Sequence, residues 1–185
     1  MQNLASRLFA ISVLAVTIAS SVRAEDPNGR GVQAYFLTQL TDTEKKFVDL
    51  ANAIPADKYK WRPGEGVRSI SEVLVHVSGA DIMLAARFLG VKMPDNIKMS
   101  PTMEKDLTDK DKIIEMMKNS FAFLHDTAAK MSTADLQKPV KLFGGAETNG
   151  DGALMFISNH MHEHLGQLIA YSRMNGVVPP WSQKR

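Results

Sequence analysis

Cysteine is absent from all 185 residues. That single absence excludes disulfides, thiolate metal ligands and a cysteine nucleophile, so any thiol chemistry must use a thiol supplied from outside. Aromatic residues make up only 7% of the chain, and no stripe of Lys and Arg interleaves with them as a nucleic-acid groove requires. No DNA or RNA partner is expected. The chain also lacks any sustained period-two alternation of apolar and polar residues, so nothing calls for a large sheet and the expected class is all-α. No internal repeat or low-complexity tract argues for more than one domain.

What is present begins with Arg7 and an apolar run from Leu8 to Val22, ending in Val22-Arg23-Ala24. The residues before the expected cut suit signal peptidase, so residues 1–24 read as a secretory signal cleaved after Ala24. The run is too short, and too quickly followed by Glu25-Asp26-Pro27-Asn28-Gly29, to hold a bilayer-crossing helix. The expectation is therefore a periplasmic or secreted protein with no stable membrane insertion after cleavage. The leader carries two arginines and no acids, so the chain's 22 basic and 20 acidic residues become 20 of each in the mature protein. The apparent basicity belongs to the discarded segment. Residues 25–185 are of ordinary size for one well-filled domain.

Four helical patterns occupy most of this domain. The first runs from about Gln33 to Ile54, with Phe36, Leu40, Phe47 and Leu50 at core spacing and Pro55 as its stop. The second begins at a Ser69/Glu72 capping box and ends near Gly90. The third runs from about Lys110 to Met131, with Ile113, Ile114, Met117, Phe121 and Leu124 inward. The fourth covers Ala153 to Met174 and stops at Gly176, before Pro179-Pro180. Each spans about 30 Å. The connections Pro55–Arg68, Val91–Asp109 and Ser132–Asp151 are long enough to cross bundle ends, which predicts a four-helix bundle with crossover connections. A short extended piece over the mouth of the bundle is expected at Leu142-Phe143-Gly144-Gly145.

Within this frame three histidines stand out. His160 and His164 form an HxxxH pair, so they lie on one helix face with Ile157, Leu168 and Tyr171. His76 shares a face of the second helix with Val73, Ala80 and Met83, which predicts that it too points inward. A lone inward histidine is ordinarily a hydrogen-bonded core residue, and His125 is read that way. Three on converging faces are harder to satisfy, because each ring carries a donor and an acceptor. A shared metal ion would satisfy them. Neutral nitrogen ligands suit Zn²⁺, Ni²⁺ or another divalent transition metal, and three ligands leave coordination positions open, as in catalytic sites. His162 lies about 200° around the helix from the pair and should face outward. The HExxH motif fails because Gly166 stands where its second histidine belongs, so Glu163 reads as a solvated carboxylate.

Several neighbours have two readings. Gln167 either hydrogen-bonds a metal-ligating group or packs along the bundle, and Gly166 either admits a close helix or is merely tolerated. Tyr59, Trp61 and Arg62 either shape a pocket rim that binds an anion or form an aromatic plug with Arg62 lying over Trp61. The second is expected. The 11 methionines, including Met83, Met155 and Met161, read as core filler before they read as soft-metal ligands.

Lys60-Trp61-Arg62-Pro63-Gly64, Val67-Arg68-Ser69, Glu72-Val73-Leu74-Val75-His76 and His160-Met161-His162-Glu163-His164-Leu165-Gly166-Gln167, with Arg173 and Gly176 behind, together resemble the DinB-like (DinB/YfiT-like) family of metal-dependent enzymes. The resemblance covers nearly the whole mature domain. It implies a four-helix bundle whose metal ligands are one histidine of the second helix and the HxxxH pair of the fourth, here His76, His160 and His164. It also implies thiol-dependent transferase or isomerase chemistry on a small molecule in some members. The family name refers to damage-inducible expression and implies nothing about DNA binding.

The leading expectation is thus an exported metal-dependent hydrolase or thiol-dependent transferase acting on a small molecule. The alternative is a non-catalytic bundle that binds a metal or small ligand, and a third reading has the histidines hydrogen-bonded to one another. The sequence leaves room for a homodimer.

Overall fold

Four long helices dominate the computed structural model, which describes residues 31–94 and 99–183. The expected signal at residues 1–24 lies outside the described residues, and no described helix is long and apolar enough to cross a membrane. We label the helices α1 Gly31–Ala53, α2 Ile70–Leu89, α3 Met103–Asp106, α4 Lys110–Lys130, α5 Thr133–Leu136 and α6 Gly150–Met174. The expected boundaries agree within a few residues. The largest difference is at α6, which starts at Gly150 because Asn149 caps it by accepting from the Gly152 N–H at 3.1 Å.

The core forms where periodicity placed it. Phe36, Leu40, Phe47 and Leu50 of α1 are buried against Ile113, Met117, Phe121 and Leu124 of α4, with Val73, Leu74 and Val77 of α2 and Leu154, Ile157 and Leu168 of α6 completing it. Met83 departs from expectation and is exposed. Seven residues bring it back to the face of His76, which is itself only half-buried.

α1 packs on α4 and α6, and α2 packs on the same two helices, so α1 lies diagonal to α2 and α4 diagonal to α6. Two of the three links between long helices must therefore cross an end of the bundle, as their lengths predicted. The α4–α6 crossing contains α5 and a hairpin, β1 Pro139–Lys141 paired antiparallel with β2 Glu147–Asn149. The expected extended piece at Leu142-Phe143-Gly144-Gly145 is instead the hairpin's turn, with the strands on either side. Gly144 and Gly145 sit at φ 76° and 88°, backbone that glycine adopts readily and that closes a turn rather than extending a strand. Gly150 is needed for another reason: a Cβ there would lie 2.8 Å from the Asp135 carbonyl oxygen, so only glycine lets α6 begin against α5.

The α1–α2 crossing is tied to the start of α2. Ser69 Oγ accepts from the Glu72 N–H and Glu72 Oε2 accepts from the Ser69 N–H at 2.7 Å, the capping box expected from sequence. The next two N–H groups donate back into the loop, Ile70 to the Trp61 carbonyl at 3.1 Å and Ser71 to the Tyr59 carbonyl at 2.9 Å. The first-turn donors of α2 are thereby used within the protein, and residues 59–69 are fixed over the end of the bundle beside His76.

Candidate metal centre

α2 and α6 are packed neighbours, and their contact brings His76, His160 and His164 together, with candidate ligand nitrogens within 4.8 Å of one another. This is the convergence predicted from the two helical stripes. The rings stand edge to face, with centroids 4.6 Å apart for His160 and His164 and 4.8 Å for His76 and His164. The His160 and His76 Nε2 atoms are 3.2 Å apart. Two nitrogens held at 2.0–2.1 Å from one ion at a tetrahedral angle would be about 3.3 Å apart. The triad is half-buried, and 22% of the His76 side chain remains exposed, so the cluster can be reached from outside.

Polar partners steer two of the rings. Glu104 Oε1 lies 2.8 Å from His76 Nδ1, and since an ionised carboxylate only accepts, Nδ1 carries the proton and Nε2 presents a lone pair. Gln167 works the same way on His164. Its Oε1 is 2.8 Å from Nδ1, while its own amide donates to the Tyr171 hydroxyl at 2.9 Å. Metal-binding histidines characteristically have such partners on the far ring nitrogen. His160 differs, because its Nδ1 is buried without a partner among the described residues.

Burial favours the neutral form of His76 and His160. Burial pushes the His76 imidazolium down, the Glu104 hydrogen bond pulls it up, and the Arg68 charge adds to the downward side, with the balance below its ordinary value. Burial, then the His164, His76 and Arg68 charges, push His160 down to about 4. Burial alone would raise Glu104, but hydrogen bonds from Arg68 and His76 outweigh it and keep the carboxyl ionised. The three histidines could hold a metal ion. With the His76 proton on Nδ1, only His160 Nε2 can donate across the 3.2 Å contact between the two rings.

The remaining histidines lie apart, as expected. His125 Nε2 faces Glu44 at 3.2 Å between α4 and α1. His162 is exposed at the α1 side, its Nδ1 bonded to the Ser158 carbonyl at 2.8 Å. Glu163 is exposed. Gln167 resolves to its hydrogen-bonding reading, whereas Gly166 admits no close helix, since nothing lies within 4 Å of where its Cβ would be. The expected cover of Arg62 over Trp61 does not form. Trp61 packs edge-on against Tyr171 at 5.4 Å, and Arg62 turns away to donate to Glu72 at 3.1 Å and to the Val67 carbonyl at 2.8 Å. A buried carboxylate attracts the guanidinium more strongly than a ring face does. Met161 is core, and Met83 and Met155 are exposed.

The Trp61 loop does help form a mouth. A recess of about 720 Å³ lies between residues 62–68, α3 and Gln167, bordered by Glu104 and Arg68. Phe143 contributes nothing to it. That loop packs instead with Phe88 and Phe156 at 5.1 and 6.2 Å between ring centroids. Glu104 carried no sequence signal, because it sits on a four-residue helix in a long connection with no periodicity to aim it. Arg68, which joins it at 2.7 Å, was visible only as part of a family motif.

Bundle topology and a two-helix histidine triad define a class, and the comparisons agree with it. The model of the DinB superfamily matches residues 39–168, so the chain belongs to the DinB superfamily. Among solved structures, a DinB-like protein from Bacillus cereus ATCC 10987 superposes with a TM-score of 0.65 at 18% identity, covering 78% of this chain and 93% of that one. A DinB-like protein from Bacillus subtilis gives 0.63 at 18% identity, covering 82% and 99%. The mycothiol-dependent maleylpyruvate isomerase gives 0.56 at 15% identity, covering 74% of this chain and 60% of that longer one. No curated protein sequence matches significantly.

Proposed function

We propose that this protein is an exported metal-dependent enzyme, a hydrolase or a thiol-dependent transferase, that binds one divalent ion, Zn²⁺ or Ni²⁺, through His76, His160 and His164 and acts on a small molecule. The observation that carries the reading is the triad itself: three imidazole rings, two of them steered by Glu104 and Gln167, converging beside an open recess. A bound divalent ion would supply Lewis acidity, polarising the substrate and easing deprotonation of a nucleophile. The chain's own residues do the rest. Glu104 and Gln167 hold the rings in the tautomer that offers Nε2. Trp61 and Tyr171 pack behind Gln167, and the recess admits a ligand from the Arg62–Arg68 side.

The thiol branch draws support from two facts. The chain has no cysteine, so a thiol nucleophile must come from outside, and one protein of the same fold is named as mycothiol-dependent. Export rests on the leader at residues 1–24 and its Ala24 end. N-terminal sequencing of protein from its native cell should find Glu25, and intact Met1 protein in the cytosol would overturn export.

Turnover tests the central reading. Metal-loaded mature protein is screened against esters, amides and lactones, and against electrophiles with added small thiols, beside a His160→Ala control. Metal-dependent turnover that disappears in the control is the expected result. Stoichiometric binding of a small molecule with no turnover would overturn catalysis in favour of a binding protein.

A further inference from the structure

We propose that the recess beside the triad is a subsite for the carboxylate of a small organic-acid substrate, held by Arg62, Arg68 and Lys105 while the remainder of the molecule reaches the histidines. The inference rests on reading the triad as the reaction centre.

The acids and amide in the recess are already engaged. Glu72 accepts from Ser69 and from Arg62, Glu104 accepts from Arg68 at 2.7 Å and faces His76 at 2.8 Å, and both Gln167 groups are used on His164 and Tyr171. The cations are not saturated. Arg62 uses one N–H on Glu72 and one on the Val67 carbonyl, and Arg68 directs two nitrogens at Glu104. Each guanidinium carries five N–H donors, so both retain unused ones. The Lys105 ammonium has no side-chain partner among the described residues and borders both this recess and a smaller one of about 270 Å³ beside Lys60 and Thr108. What the recess has left to offer is donors and positive charge.

The charge balance selects the ligand. Three cations against two acids leave one positive charge, which matches a monoanionic carboxylate better than a dianionic phosphate. The donors are side chains: the first N–H groups of α2 bond to Tyr59, Trp61 and Ser69 and are not available. Binding should therefore depend on individual cations and weaken with salt.

The test is an NMR titration at low ionic strength of metal-free and zinc-loaded protein with propionate, propionamide and inorganic phosphate, following the Gly66, Glu104 and Lys105 amides, with zinc content measured on the same samples. Propionate is expected to shift these amides and to bind better than propionamide or phosphate. Lys105→Glu should weaken propionate about tenfold. Lys105→Arg should retain binding, and Lys118→Glu, on the exposed face of α4, should leave it unchanged. Lys105 is exposed on a short helix, so these variants should fold. Equal binding of propionate and propionamide, preference for phosphate, or propionate binding that needs zinc and ignores Lys105→Glu would each overturn the subsite. If zinc fails to bind while Lys105-dependent propionate binding persists, the metal reading fails and the subsite stands.

Discussion

Between Glu72 and Arg87, α2 carries two ionisable side chains, His76 and Asp81, and they are treated differently. His76 lies at the bundle end, where Glu104 reaches one ring nitrogen and the other meets His160. Asp81, five residues further on, is fully buried, and neither carboxylate oxygen has a partner among the described residues. Burial disfavours the charged form of both groups, in opposite directions: it helps push His76 and His160 down, and it pushes Asp81 well above the ordinary carboxyl range. The difference shows what supports a polar group in this bundle. At the end, a crossing connection brings a carboxylate from outside the four helices to His76. Further along, a hydroxyl such as Ser78 can donate to its own helix at the Leu74 carbonyl, but the Asp81 carboxyl finds no such partner among the described residues.

The largest effect should come from the triad. Alanine at His76, His160 or His164 should weaken metal binding more than 100-fold, by the rough scale on which supporting residues alone cost 10–100-fold. His125→Ala and His162→Ala should bind as the parent does. Metal content and helicity of the five variants check this. Loss of metal in His162→Ala with retention in His76→Ala would break the face assignment that separates the two histidine sets.

Next come the supports that His76 and His164 have and Asp81 lacks. Glu104→Ala and Gln167→Ala should each lower metal affinity about 10–100-fold while leaving the fold intact. Glu104→Ala should have the greater effect, because a carboxylate makes the opposite ring nitrogen more basic than an amide does. Competition with a chelator of known affinity measures both, and equal affinities would show that steering by Glu104 adds nothing beyond orientation.

Asp81 should show the reverse behaviour, with removal stabilising. Asp81→Leu eliminates a buried carboxyl without partners among the described residues and should raise stability by about 1–3 kcal/mol, read from denaturant unfolding. Destabilisation would mean that Asp81 has a role that Glu104 and Gln167 do not reveal.

The smallest effect is on pH dependence in metal-free protein. A carboxyl raised by folding contributes stability that is full below its unfolded value near 3.8 and is lost as pH rises through its folded value. His160 has the opposite sign, losing stability as pH falls from about 6.5 toward about 4. Asp81→Asn should therefore gain on the parent as pH rises above about 4. Parallel stability curves for the two proteins would place an ionised Asp81 in the folded state.

Much of this was legible in the chain because helices repeat on a local rule. The Ser69/Glu72 box, the Gly90 and Gly176 stops and the inward stripes each follow from residues within a few turns of one another. The triad was legible for the same reason, since HxxxH fixes a face and an apolar stripe fixes His76. The hairpin at residues 139–149 was half seen, because its glycines marked a turn but its three-residue strands are too short to show alternation. Asp81 passed unnoticed: α2 is buried on nearly every side, so no single stripe marks which of its polar residues face the core.

Glu104 and the direction of Arg62 were not legible at all, since both depend on charges far apart in the chain. Arg68 and Glu104 are 36 residues apart and meet only once α3 folds back over the start of α2. By itself, then, the sequence determined the helices, their inward faces and the identity of the three histidines, because local periodicity specifies which side of a helix is buried. Only tertiary structure decided which helices are neighbours, which carboxylate steers His76, that the Trp61 side rather than the Phe143 turn forms the mouth, and that Asp81 is left alone. Those outcomes depend on how crossing segments of irregular backbone pack, and irregular backbone carries no periodic signal from which contacts can be read.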